Sequence, residues 1–117
     1  MADKFCLFNL HGQNYTMGLF DFLTGKKKKH KISAALESGA IIIDVRTVNE
    51  FDNGHFPGSK NIPLHLLPSK LKEIKQWNKP VVTVCASGMR SGQAKVLLMA
   101  NSIETYNAGS WMSLINY

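Results

Sequence analysis

A chain of 117 residues with 44% apolar side chains is of single-domain length and composition, able to bury roughly two-thirds of its unfolded surface without a disulfide or metal. Two cysteines, Cys6 and Cys85, exclude a disulfide scaffold. The net charge of +6 is concentrated early: residues 1–31 hold six lysines against two aspartates, and the remainder carries eight basic and six acidic groups, so the folding part is near neutral.

Residues 1–30 read as a flexible basic segment outside the core. Phe5 to Phe8 is too short for a secretory apolar core and is followed by polar Asn9, His11, Gln13 and Asn14. No run approaches the roughly 18 apolar residues of a membrane span. Met17 opens Gly18 to Leu23, which has the form of a protein start and makes residues 1–16 read as an upstream extension. Lys26 to Lys29 repel one another and predict a solvated lead-in. Joined to Leu19, Phe20, Phe22 and Leu23 they resemble a membrane-surface anchor, but the stretch is short for one, and membrane contact is not expected. Nucleic-acid binding is not expected either, because the basic run lacks interleaved aromatic residues.

From residue 31 to 117 the pattern is that of one domain. Ala34 to Ser38 predicts a short helix stopped by Gly39, and Ala40 to Val45 a buried strand. Thr47-Val48-Asn49-Glu50 has capping-box spacing, so a short helix begins at Val48 and ends before Gly54, Pro57 and Gly58. Lys60 to Ile62 is a short strand. Ser69 is placed to cap a helix with Leu71, Ile74 and Trp77 on its inner face. Val81 to Cys85 is the central strand. A helix over Gly92 to Asn101 follows, with Ala94, Val96, Leu97, Leu98 and Ala100 inward. Ile103 to Tyr106 is a last strand and Ala108 to Asn116 a final helix. This alternation predicts an α/β fold, a parallel β-sheet flanked by helices on both faces. Ligands of such sheets sit beyond the carboxyl ends of the strands.

Cys85 falls at such an end. Ala86-Ser87-Gly88-Met89-Arg90-Ser91 then leads into a helix N-terminus. Unpartnered N–H groups and the helix dipole favour an anion there, and a thiol so placed ionises more readily. Gly88 permits a tight turn, small Ala86 and Ser87 leave the backbone open, and Arg90 adds a cation. A buried cysteine is otherwise an ordinary small apolar group. A thiol used for chemistry requires a reducing compartment, so a cytoplasmic location is expected. His11, His30, His55 and His65 show no ligand spacing and no C-x₂-C pair is present, so neither a metal nor another cofactor is expected.

The loop from Cys85 to Ser91 resembles the active-site loop of the rhodanese-like family. Ile41 to Arg46, Glu50-Phe51, Gly54-His55-Phe56-Pro57-Gly58-Ser59 and Asn61-Ile62-Pro63-Leu64 resemble the family's upstream signatures in order, and Asn107 to Trp111 its closing loop. The resemblance spans about Lys31 to Tyr117. It implies a single-domain sulfurtransferase in which Cys85 takes sulfane sulfur from a small sulfur-containing donor (thiosulfate, a polysulfide or a persulfide). The resulting cysteine persulfide passes its sulfur to cyanide, a thiol or a small redox protein. Ala86, Ser87, Gly88, Met89, Arg90 and Ser91 are the expected donor-binding residues, with Arg46 at a neighbouring strand end either among them or paired with Asp44. Ser87 and Ser91 offer hydroxyls to the persulfide, and Ser91 equally a helix cap. Trp111 either lines the pocket mouth or packs in the core. The resemblance makes His55 a loop anchor rather than a base for Cys85.

Four residues separate Cys85 from Arg90. In this family that loop length goes with sulfur transfer, whereas the related phosphatases and arsenate reductases carry one residue more. Those oxyanion chemistries, and a non-catalytic sulfur-carrier or interaction module, are the alternatives. One departure concerns the donor: thiosulfate-using members often carry a basic residue directly after the cysteine, and here Ala86 and Ser87 are neutral.

Overall fold

The computed structural model describes residues 26–117 in full and, before them, the backbone of two strands, β1 (Phe5–Phe8) and β2 (Asn14–Met17). The chain divides into two compact units, Met1–Lys31 and Ile32–Tyr117. In the first, β1 and β2 pair antiparallel, Phe5 opposite Met17 and Phe8 opposite Asn14. The candidate anchor residues Leu19, Phe20, Phe22 and Leu23 lie outside the described residues.

Helix α1 runs Lys26–Glu37, beginning eight residues before the expected Ala34. The lysine run expected as a lead-in forms its first turn. Charge repulsion along the run is weak in water, while Ile32 and Ala35 bury completely or nearly so and hold the helix. The helix stops as Gly39 requires. Gly39 adopts φ +94°. Its N–H donates to Leu36 O and that of Ala40 to Ala35 O, the paired bonds of a Schellman end.

Strands β3 (Ile41–Asp44), β4 (Lys60–Asn61), β5 (Val81–Cys85) and β6 (Thr105–Ser110) make one parallel sheet in the order β4-β3-β5-β6. Every residue of β5 is buried, as the apolar run predicts for a central strand. Its side chains alternate between the faces. Val81 and Cys85 join Ile43, Val45, Leu67, Ile74, Ala94 and Leu98 beneath α3 (Leu67–Gln76) and α4 (Met89–Ala100). Val82 and Val84 join Ile32, Ala35, Ala108 and Leu114 on the other face, under α1 and a closing 3₁₀ helix, Trp111–Asn116. The sheet is thus parallel and helix-covered on both faces, as the alternation of elements predicts.

Several local expectations differ. Helix α3 starts at Leu67, after a 3₁₀ turn Leu64–Leu66, and Ser69 does not cap it: its hydroxyl donates back to Leu66 O at 2.6 Å. Leu71, Ile74 and Trp77 do face inward. Helix α4 begins at Met89 and buries Ser91, Ala94 and Leu98. Val96 is 70% exposed and Ala100 is exposed, against expectation. Two residues advance about 200° around a helix, so Val96 faces away from the stripe through Ala94. The last strand is later than expected and continues to Ser110, and the final helix, a 3₁₀ helix, starts at Trp111 rather than Ala108 and ends at Asn116 as expected. Opposite Thr83 and Val84, β6 carries a register shift: Thr83 faces Asn107 but Val84 faces Gly109, which leaves Ala108 as an extra residue.

Candidate functional site

Three strand ends converge at the carboxyl edge of the sheet. Cys85 ends β5, Asp44 ends β3, and Ser110 ends β6 one register step beyond Gly109. Cys85 has no exposed surface. The chain turns around its sulfur because Gly88 adopts φ +107°, where a side chain is strained. A Cβ there would also meet the Gly109 Cα at 3.2 Å. The turn aims the Gly88 N–H at the Cys85 Sγ, N···S 2.9 Å.

Ser91, in the first turn of α4, places its hydroxyl oxygen 3.3 Å from the same sulfur. Burial pushes the Cys85 thiol up, but the Ser91 hydroxyl and the N–H groups of Ser91, Gly88 and Ser87 pull it down by more, so it ionises below the ordinary thiol value. A sulfur anion is what this ring of donors suits.

The other loop residues take distinct positions. Ala86 and Ser87 are exposed at the rim, and Met89 is 76% exposed. Arg90 turns to Glu50, forty residues earlier: Nη1 donates to Oε1 at 2.7 Å and Nη2 to Oε2 at 3.1 Å. Glu50 belongs to helix α2 (Val48–Asp52), where the capping box is formed as its spacing predicts, with Thr47 at the N-cap. The Arg90 guanidinium, aided by the Thr47 N–H, holds the Glu50 carboxyl at about 2. Glu50 in turn raises Arg90.

Arg46 lies 4% exposed beside the strand ends. Its Nε and Nη2 donate to the Asp44 carboxylate at 2.8–3.0 Å, and Nη1 and Nη2 to the carbonyls of Glu50 at 3.3 Å and Gly54 at 2.7 Å. Trp111 stacks on the guanidinium, 4.7 Å to its ring centre. Arg46 and Asp44 are therefore a buried pair that clamps the loop after β3. Asn61 adds bonds from Nδ2 to the carbonyls of Asp44 and Arg46. His55 stacks on Phe51 at 3.7 Å, and its Nδ1 lies 2.8 Å from Phe51 O, a loop contact with no bond to Cys85.

Two residues matter here beyond what the sequence assigned. Asn107 accepts from the Ser91 hydroxyl at 2.7 Å and from Gly109 N–H at 2.9 Å, and donates to Gly88 O at 3.1 Å. It thus ties the bulge of β6 to the sulfur loop. Glu50 was legible as a capping residue but not as the partner of Arg90. Among the described residues no group of three His, Cys, Asp or Glu side chains gathers as a metal site, and no helix is long and apolar enough to cross a membrane.

The sequence model of the family described as rhodanese-like domain matches residues 28–114. A Bacillus subtilis (strain 168) protein, the uncharacterized protein YqhL, is 45% identical over 69 residues, covering 58% of this chain and 54% of that protein. An Allochromatium vinosum protein named sulfurtransferase is 39% identical over 59 residues, covering 50% of this chain and 54% of its own. The chain thus spans about half the length of these two relatives. Among solved structures, the human single-domain sulfurtransferase TSTD1 superimposes with a TM-score of 0.59 at 29% identity, over 74% of this chain and 90% of that one.

Proposed function

The chain belongs to the rhodanese-like domain family, and from that membership we propose that it is a sulfurtransferase with Cys85 as nucleophile and persulfide carrier. The observation that supports this most is the Cys85 sulfur at the end of β5, held by the Gly88 N–H and the Ser91 hydroxyl in a loop of the short, sulfur-transfer length. The Cys85 thiolate attacks the outer sulfur of a donor. A new S–S bond forms, and the donor's own bond to that sulfur breaks with its electron pair leaving on sulfite or a thiolate. An acceptor thiolate or cyanide then takes the outer sulfur and returns Cys85 as thiolate.

The N–H groups of residues 86–91 serve as the anion cradle. Arg46, with its donors engaged by Asp44 and two carbonyls, serves as the clamp of the neighbouring loop. Since Cys85 is wholly covered, a donor reaches the sulfur when the loop or its neighbours open. We assign the activity to residues 31–117, without a metal or organic cofactor, and to a reducing compartment such as the cytoplasm.

Intact-mass spectrometry of the reduced protein, before and after thiosulfate or glutathione persulfide, tests the reading. One added sulfur atom on the Cys85 peptide, removed by cyanide and missing in Cys85→Ser, is the expected result. No gain from either donor overturns it and leaves an interaction module or an oxyanion chemistry, the latter checked by phosphate-ester turnover.

A further inference from the structure

Arg90 is the only cation in the segment from Cys85 to Ser91, and both arms of its guanidinium are held by Glu50 at 2.7 and 3.1 Å. Glu50 is fixed independently of Arg90. Thr47 N–H and Thr47 Oγ1 both donate to its Oε1, at 3.2 and 3.1 Å, within the capping box. A carboxylate already oriented spares part of the side-chain entropy that usually cancels an exposed ion pair. The other charges at this end of the sheet, Asp44 and Arg46, also pair with each other. Once Cys85 ionises, these groups together therefore carry about one net negative charge, with both guanidinium groups among them paired.

Donors of sulfane sulfur differ in the charge they bring to such a site. Thiosulfate is a compact dianion, and the sulfite it releases is another. A small organic persulfide brings one charge or none, and releases a thiolate. Beside a thiolate, a dianion gains from a free guanidinium and loses when a carboxylate cancels it.

We propose that Glu50 is a specificity-determining residue which, by holding Arg90 in a two-armed pair, turns the Cys85 site toward organic persulfides and away from the thiosulfate dianion. The proposal rests on the sulfur-transfer reading of Cys85. In the favoured half-reaction Cys85–S⁻ and R–S–SH give Cys85–S–SH and R–S⁻: one S–S bond forms, one breaks, and the electron pair leaves with R–S⁻. No outside oxidant or reductant is needed. Glu50 acts through Arg90 and does not touch the donor sulfur.

Glu50→Gln separates charge from architecture, because glutamine also completes a capping box and keeps one acceptor for Arg90. The assay compares kcat/KM for thiosulfate and for 2-hydroxyethyl persulfide, each with cyanide as acceptor, at low and high salt. The ratio of thiosulfate to persulfide use is expected to rise about three- to tenfold at low salt and to fall back as salt screens the charge. Ser87→Lys, which supplies an unpaired cation at an exposed position, should move the ratio the same way and covers the case of a poorly folded Glu50 variant. Sulfite titration of Cys85→Ala protein, with and without Glu50→Gln, reads the anion site without turnover, and tighter sulfite binding in the double variant is expected. A ratio that is unchanged or lower in both charge variants overturns the proposal while leaving sulfur transfer standing. Wild-type protein that accepts sulfur from neither donor overturns the transfer reading and the proposal together.

Discussion

Ser91 and Asn107 are joined by a 2.7 Å hydrogen bond, with the Cys85 sulfur only 3.3 Å from the same serine oxygen. The amide of Asn107 cannot flip without loss, because Gly109 N–H needs its oxygen and Gly88 O its nitrogen. One hydroxyl proton therefore serves two acceptors. It favours Asn107 while Cys85 is a thiol, and the sulfur gains the stronger hold once it is charged. Ser91→Ala removes that donor and should raise the Cys85 pKa. Thiolate absorbance near 240 nm, titrated against pH, reads the shift, and an unmoved midpoint would show that the backbone N–H groups alone set the acidity.

Glu50 gives the fold a defined acid dependence. Its carboxyl is lowered from 4.5 to about 2, chiefly by Arg90. A carboxyl depressed in the folded state contributes stability that is complete above its unfolded value and is lost as pH falls through its folded one. The advantage of wild type over Glu50→Gln, no more than about 1 kcal/mol for so exposed a pair, should therefore shrink as pH drops from 4.5 to about 2. Urea midpoints of both proteins across that range provide the check, and parallel curves would sink the assignment.

Gly88→Ala meets two obstacles at once, φ +107° and the Gly109 backbone at 3.2 Å. A cost of about 1–3 kcal/mol is expected from such strain, and relief of the strain turns the residue 88 N–H away from the sulfur it now meets. The denaturant midpoint and the rate of Cys85 alkylation should fall together. A variant as stable and as reactive as wild type would mean that the loop has another way to turn.

Arg46→Ala strands Asp44, which has no exposed surface. Breaking a buried pair in this way costs about 3–5 kcal/mol. Arg46→Lys should recover only part of it, since an ammonium cannot match the planar fork that reaches Asp44, Glu50 O and Gly54 O together. Equal stability of the Lys variant and wild type would contradict this account.

Helix α4 offers a contrast within three residues. Leu98→Ala should cost about 2–5 kcal/mol and Val96→Gln less than about 0.5 kcal/mol, because Leu98 is fully buried and Val96 is 70% exposed. Thermal unfolding of the two variants decides it, and comparable losses would place Val96 in the core after all.

What was legible in the sequence was mostly local. Val81 to Cys85 reads as a central strand because an unbroken apolar run suits a strand covered on both faces, and Thr47 to Glu50 reads as a cap because its bonds span three residues. Val96 reads as inward yet faces solvent, because apolar character alone does not say which stripe of a helix meets the sheet. The pairing of Arg90 with Glu50 crosses forty residues and leaves no period to detect. Asn107 acquires its role from a bulge that adds one residue to β6, and no strand pattern announces such an insertion. The helical lysine run owes its form to Ile32 and Ala35, three and six residues past Lys29, whose burial outweighs the local charge pattern.

Cys85 ends a strand and shows no surface to solvent. An acidic thiol left in the open would react with whatever peroxide or disulfide came first. Beneath its cover, the thiol meets a reagent only in conformations that expose the sulfur, so a collision with the surface alone is not enough. Cover and acidity are thus separate properties of the thiol: the first limits which encounters count, and the second sets how readily the sulfur ionises once it is met.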